Sequence, residues 1–261
     1  MNYMKQDFYD QLTLRNGFFI SRDLQLKIKE CSLVLAGCGL SSNFAVLAAR
    51  LGFEKFILID GDNVDESNLN RQPFSLNHVG LNKAEAISEI IKQINPAIRS
   101  KIIAQYIDSS MVRGIVSEGD IILNTVDFTE VTYEINEEVA SQSKISLFPL
   151  NIGFGALLLV FSKNSKSLIE MTGGKIARSD KEFLLSLYKN LEGYKLPNYV
   201  KYHLVGVFNY IRKNGFFPQN GIAANINSSL MAMVIVKYLN REKIRFAPKP
   251  IFLDVREDKW L

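Results

Sequence analysis

The residues able to do chemistry concentrate between Gly37 and Asp127. Gly37 and Gly39 lie in GCGLSS, directly after the apolar run SLVLA, where a strand turns into a helix. A missing Cβ there lets a phosphate approach backbone N–H groups at the positive helix end. Ser42 stands where the G-x-G-x-x-G pattern has its third glycine, and a glycine turn alone fits many α/β proteins. Asp60 ends the next apolar run, KFILID, some twenty residues on, where a carboxylate can accept both hydroxyls of an adenosine ribose. A dehydrogenase and an ATP-dependent enzyme would both use it. The following stretch separates the two, because it gathers Asn68, Asn70, Arg71, Gln72 and then Lys83. Hydride transfer has no need of that cluster. A triphosphate does, since an arginine fork and a lysine point charge neutralise it and the charge that develops when pyrophosphate leaves. Asp127 follows DIILNT, a run that would deliver it to the carboxyl edge of a sheet beside the glycine turn. Mg²⁺ takes one or two carboxylates plus phosphate oxygens and water, so a single aspartate suffices; the alternative for Asp127 is a helix cap before Glu130.

These positions require a frame of alternating elements. The sequence predicts strands at 32–37, 55–60, 101–106, 120–125, 145–150, 156–162 and 251–255, and helices at 43–51, 83–94, 111–116, 130–142, 181–191, 199–214 and 222–239. Continuous apolar strands alternating with helices indicate a doubly wound, mostly parallel, Rossmann-like α/β sheet covered on both faces, with a helical C-terminal extension. Without a repeat or a Ser/Gly-rich linker, residues 1–261 are expected to form one domain. Its parts are an N-terminal helical arm (1–30), a nucleotide-binding core (31–162) and an acceptor and dimerisation extension (163–261).

The composition is that of an ordinary globular protein: 47% apolar, 22% charged, and a formal charge of +4 from 31 basic and 27 acidic residues. This excludes disordered, collagen-like and disulfide-scaffold classes and leaves only a weak attraction to anions. Two cysteines, Cys31 and Cys38, and two distant histidines, His78 and His203, lack zinc-site spacing, so no zinc is expected. The N-terminal stretch is too charged for a secretory signal, which makes the expected location cytoplasmic. The apolar run 145–161 contains Pro149, Asn151, Gly153 and Gly155, and reads as two buried strands rather than a membrane span.

Nine aromatics between Phe183 and Phe217 alternate with lysines and arginines. They are suited to gripping a peptide, a small protein tail or an RNA base, although packing of a helical extension and a homodimer seam is the preferred reading. His203, among them, is read as a packing residue. His78 could at most touch a nucleotide edge.

The string D-x-D…SNL-x-RQ…VG-x-x-K, with Asp60 and Asp62 opening it and Lys83 closing it, resembles the ubiquitin-activating-enzyme-like adenylyltransferases of the ThiF/MoeB/HesA group over about residues 15–152. The resemblance implies that Asp60 holds the ribose, that Asn68, Arg71, Gln72 and Lys83 surround the phosphates, and that Asp127 holds Mg²⁺. It further implies that Arg15, in LRNG, reaches the phosphates of a partner subunit, so that the protein works as a homodimer. The chain departs from the family pattern at Val126-Asp127-Phe128, where TDN is usual, at Ser42, and in lacking zinc cysteines. No cysteine lies in the C-terminal half, where thioester-forming members keep their nucleophile.

The expectation is therefore an ATP- and Mg²⁺-dependent adenylyltransferase. It would activate a carboxylate, the C-terminus of a small protein or peptide, as an acyl-adenylate without a thioester cysteine. Arg71, Lys83, Asp127 and Arg15 are the catalytic candidates; Gly37, Gly39, Asp60, Asp62, Asn68, Asn70 and Gln72 complete the nucleotide site. Two alternatives remain: a tRNA threonylcarbamoyladenosine dehydratase-like enzyme, with tRNA as partner, and a catalytically silent nucleotide-binding member.

Overall fold

The structure is a computed structural model; it describes residues 2–256 apart from 178, 194 and 196, with backbone alone at 2–7, 180 and 202–205. In chain order the elements are α1 (Asn2–Thr13), α2 (Arg22–Glu30), β1 (Ser32–Ala36), α3 (Ser42–Leu51), β2 (Lys55–Ile59), α4 (Lys83–Ile94), β3 (Arg99–Ile103), α5 (Ser109–Glu118), β4 (Ile121–Asn124), α6 (Glu130–Ser141), β5 (Ile145–Ile152), β6 (Gly155–Ser162), α7 (Leu168–Met171), α8 (Asp180–Asn190), α9 (Asn198–Asn214), α10 (Gly221–Leu239) and β7 (Ile251–Asp254). The strands form one sheet in the order β3-β2-β1-β4-β5-β6-β7. The first five are parallel, while β6 and β7 run antiparallel.

Alternation along the parallel strands buries both faces. Leu33 and Leu35 of β1 face a core that includes residues of α2, α3, α4 and α10, and Val34 and Ala36 face one built with α5 and α6. A third cluster, with Phe148, Leu157, Leu159 and Phe161, lies beneath α7 and α8. Among the described residues one helix, α10, is long and apolar enough to cross a membrane. It packs on α3, β5 and β6, and is a core helix.

The expected α/β frame is present, with three differences. The run 145–162 folds back through Gly153, at φ +60°, as an antiparallel hairpin, so the sheet stops being parallel there. The third strand starts two residues and ends three residues earlier than expected, which leaves Tyr106 beyond its end. The short helix α7, absent from the sequence reading, carries its own capping box between Ser167 and Glu170.

Phe183 and Tyr188 pack into the third cluster, in keeping with the packing reading of the aromatic segment. Tyr210 and Phe216 are exposed. The side chains of Tyr202 and His203, and Tyr194 altogether, lie outside the described residues.

Candidate active site

The strand order reverses between β1 and β4, the place where open α/β sheets bind ligands beyond the strand carboxyl ends. Three connections meet there: β1 to α3, β2 to α4, and β4 to α6.

The glycine turn is built by backbone necessity. Gly37 has φ +88°, its N–H donates to Ile59 O at 2.9 Å, and a Cβ on it would sit 2.6 Å from Thr125 O. The Thr125 hydroxyl donates to Ala36 O at 3.0 Å and Gly37 O at 2.8 Å, tying β4 to the turn. Gly39 is less constrained: a Cβ there would meet only Gln72 Nε2, at 3.5 Å. Ser42 is fully buried and donates its hydroxyl to Gly39 O at 2.7 Å, so the residue in the third glycine position braces the turn. Ser41 gives α3 no side-chain cap.

Asp60 is positioned by β2 and held against this turn. Its Oδ2 accepts the Cys38 N–H at 2.6 Å and its Oδ1 the Asp62 N–H at 2.8 Å. Burial pushes its carboxyl above the usual range, although both amides work against that rise. Asp62 behaves oppositely. Its partial burial favours the neutral form, yet the Tyr106 hydroxyl at 2.6 Å and Lys83 Nζ at 2.9 Å hold its carboxyl below the usual range. Lys83 opens α4, whose N-cap Asn82 also donates to Asp60 O at 2.9 Å, so a single residue sets the lysine against the loop that follows β2.

Tyr106, Thr125 and Asn82 are site-building residues that the sequence reading did not single out. Tyr106 lies with its ring against Gly61, where even a methyl group would collide at 2.4 Å, and is 70% exposed. The hydrogen bond to Asp62 raises the Tyr106 hydroxyl pKa, as do the charges of Asp62, Asp60 and Asp127.

The Arg71 guanidinium is half-buried and held by neutral acceptors: Nη1 donates to Ser67 O at 2.8 Å and to Asn70 Oδ1 at 2.7 Å, and Nε to Gln219 Oε1 at 3.2 Å. Among the described residues it has no ion pair, in contrast to Lys83. Burial lowers its pKa, and a guanidinium still keeps its proton. Arg71 lines a narrow crevice with Gly39, Leu40, Asn43, Gln72, Gln219 and Ala224. Gln72 Oε1 is buried there without a hydrogen-bond partner among the described residues.

The expected residues do not all converge. Asn68 is buried and uses its Oδ1 on the Asp65 N–H at 3.1 Å, shaping the 65–68 turn instead of facing the crevice. Asn70 is exposed and serves as an acceptor for Arg71. His78 accepts from the Ser75 N–H at 3.0 Å within its own turn, a local cap rather than a nucleotide contact. Arg15 is exposed in the turn Leu14–Asn16. The arm docks at the far end of α3, through Tyr9 to Gly52 O at 3.0 Å and Asn16 to Gln25 at 3.2 Å. That is roughly 15 Å, one ten-residue helix, from the glycine turn. Arg15 therefore does not join its own chain's site.

Asp127 is exposed at the start of the turn into α6, and its backbone O accepts the Thr129 N–H at 2.7 Å. Phe128, in place of the family's usual asparagine, is turned away and stacks on Phe183 at 4.1 Å. Among the described residues no group of three His, Cys, Asp or Glu side chains could enclose a metal. The donor set fits a cation that takes one carboxylate and fills its other positions with ligand oxygens and water, the habit of Mg²⁺.

Neither cysteine is poised for chemistry: burial pushes the Cys31 thiol to about 12 and the Cys38 thiol well above its ordinary value.

The model of the ThiF family matches residues 12–260. The chain is 32% identical over 135 residues to the adenylyltransferase and sulfurtransferase UBA4 of Yarrowia lipolytica, covering 51% of this chain and 34% of that protein. It is 26% identical over 164 residues to the sulfur carrier protein ThiS adenylyltransferase of Escherichia coli, 62% of each. The fold is similar to that of E. coli MccB in its crystal structure with AMPCPP and MccA, with TM-score 0.67 at 21% identity over 90% of this chain and 64% of that one. The chain thus spans between about one third and two thirds of the length of these relatives. With the family match running almost end to end over a switch-point site, the chain belongs to the ThiF family.

Proposed function

We propose that this protein is an ATP- and Mg²⁺-dependent adenylyltransferase that activates the C-terminal carboxylate of a small protein or peptide. The observation that carries the reading is the half-buried Arg71 beside the glycine turn, which among the described residues forms no ion pair, on the same sheet edge as Asp60 and Lys83. Names of relatives support the substrate class: one is a ThiS adenylyltransferase, and MccB was crystallised with MccA.

A carboxylate oxygen of the acceptor attacks the α-phosphorus of ATP, forming an acyl-adenylate while the bond to pyrophosphate breaks. No protein base is required, because the nucleophile is already ionised. The chain supplies alignment and charge. Asp60 receives the ribose hydroxyls on its remaining lone pairs, the open turn at Gly39 admits phosphate to backbone N–H groups, and Arg71 neutralises the departing pyrophosphate, with Lys83 contributing what charge its pairing to Asp62 leaves. Asp127 would hold Mg²⁺, which when bound would supply positive charge against the phosphates. Transfer from the adenylate to an acceptor then proceeds without a thioester on Cys31 or Cys38, both buried as thiols.

The protein acts as a cytoplasmic homodimer in this reading. Arg15 is placed too far to serve its own chain and has exposed apolar neighbours, Leu14, Phe18 and Phe19, suited to a subunit seam. Exchange of labelled pyrophosphate into ATP, dependent on a peptide acceptor and Mg²⁺, tests the proposal. Absence of exchange with every acceptor, together with no ATP affinity, would refute it; exchange that requires tRNA would favour the dehydratase alternative.

A further inference from the structure

Arg71 is tethered from a distance of 148 residues in sequence. Its Nε can only donate, which fixes the acceptor in the Gln219 side chain as the oxygen. The same Oε1 accepts Asn151 Nδ2 at 3.2 Å, and Asn151 Oδ1 in turn accepts Asn227 Nδ2 at 2.6 Å. Asn70 Nδ2 donates to the Gln219 backbone O at 3.0 Å. Gly221, two residues on, has no room for a side chain without touching Asn70 O at 3.0 Å. A chain of carboxamides from α10 through the end of β5 therefore ends on the arginine, and the connection between α9 and α10 is fastened to the loop that carries it.

Every link of this chain is neutral. A carboxylate in the place of Gln219 would hold Arg71 equally well and would spend its charge. A carboxamide orients the guanidinium and leaves the charge for an incoming anion. We propose that Gln219 is the positioning residue for Arg71, fixing the guanidinium at the crevice with an uncharged acceptor so that its full charge meets the triphosphate. The proposal rests on the reading of Arg71 as a phosphate-binding residue.

The experiment compares the full chain with Gln219→Glu and Gln219→Leu, measuring binding of Mg-ATP, pyrophosphate and adenosine by calorimetry and melting temperature alongside. Gln219→Glu preserves both hydrogen bonds, so it should melt no lower than the wild type. It should nonetheless bind Mg-ATP and pyrophosphate about fivefold to tenfold more weakly, with adenosine unchanged, because an ion pair now competes with the phosphates. Gln219→Leu removes the acceptor and should slow pyrophosphate exchange at saturating ATP by about tenfold, again with adenosine affinity intact. A merely structural tether would leave Gln219→Glu silent, and Mg-ATP binding by that variant equal to wild type would overturn the proposal alone. Failure of the wild type to bind Mg-ATP would overturn both this proposal and the adenylyltransferase reading.

Discussion

The Asp60 carboxylate accepts the backbone N–H of Cys38 at 2.6 Å, so the acid at the end of β2 and the glycine turn after β1 form one unit. Its second oxygen takes the Asp62 N–H, and burial still raises its pKa. Asp60 should therefore protonate earlier than an ordinary carboxyl as the pH falls, and ATP affinity should fall with it, starting above the usual carboxylate range. Binding isotherms of wild type and Asp60→Asn across that range test this. The wild type should lose affinity on acidification, and the variant should be weak and flat.

The two glycines of the turn predict a contrast. Gly37→Ala forces a side chain into φ +88° and against Thr125 O, and should cost about 1–3 kcal/mol of stability. Gly39→Ala meets only the end of the Gln72 side chain and should melt near the wild type. It should lose ATP affinity all the same, because its methyl occupies the face open to phosphate. Melting curves and ATP titrations on the two variants separate stability from binding.

Asp62 gives a pH-dependent stability with a definite sign. Tyr106 and Lys83 hold its folded pKa below the unfolded value, so its contribution is present above the unfolded pKa and is lost as the pH falls through the folded one. Tyr106→Phe should be slightly less stable than wild type at neutral pH, and the gap should close on acidification. Urea unfolding of both proteins at several pH values reads it directly.

Phe128 stacks on Phe183 between β5 and α8. Its departure from the family signature is thus a packing substitution, one residue from the exposed Asp127. Phe128→Ala should destabilise by about 2 kcal/mol and leave Mg-ATP affinity within about twofold of wild type. Asp127→Ala should do the reverse. Denaturation and binding measured on both variants decide it.

Much of the frame was legible because it depends on local pattern. The run SLVLAGCGLSS fixes strand, turn and helix by itself, and KFILID places Asp60 at a strand end with no knowledge of its partners. What escaped is long-range or subtle in period. The antiparallel return at Gly153 looks, in an apolar stretch, like any pair of buried strands. Tyr106 scanned as the end of β3 because apolar residues continue past the last paired position. Gln219 carried no signal, since nothing in a polar loop announces an arginine 148 residues away, and Asn151 showed only as a polar interruption of an apolar run. Asn68 and His78 show the converse: both belong to a motif-rich stretch, yet their side chains are used in shaping turns.

In the proposed function, the crevice at the glycine turn binds the triphosphate of Mg-ATP through Arg71. Calorimetric titration of Mg-ATP into wild type and Arg71→Ala tests it most directly. Saturable binding by the wild type and a loss of at least about tenfold in the variant are expected, with the melting temperature of the free protein little changed. No binding by the wild type, or equal affinity in both, would contradict it.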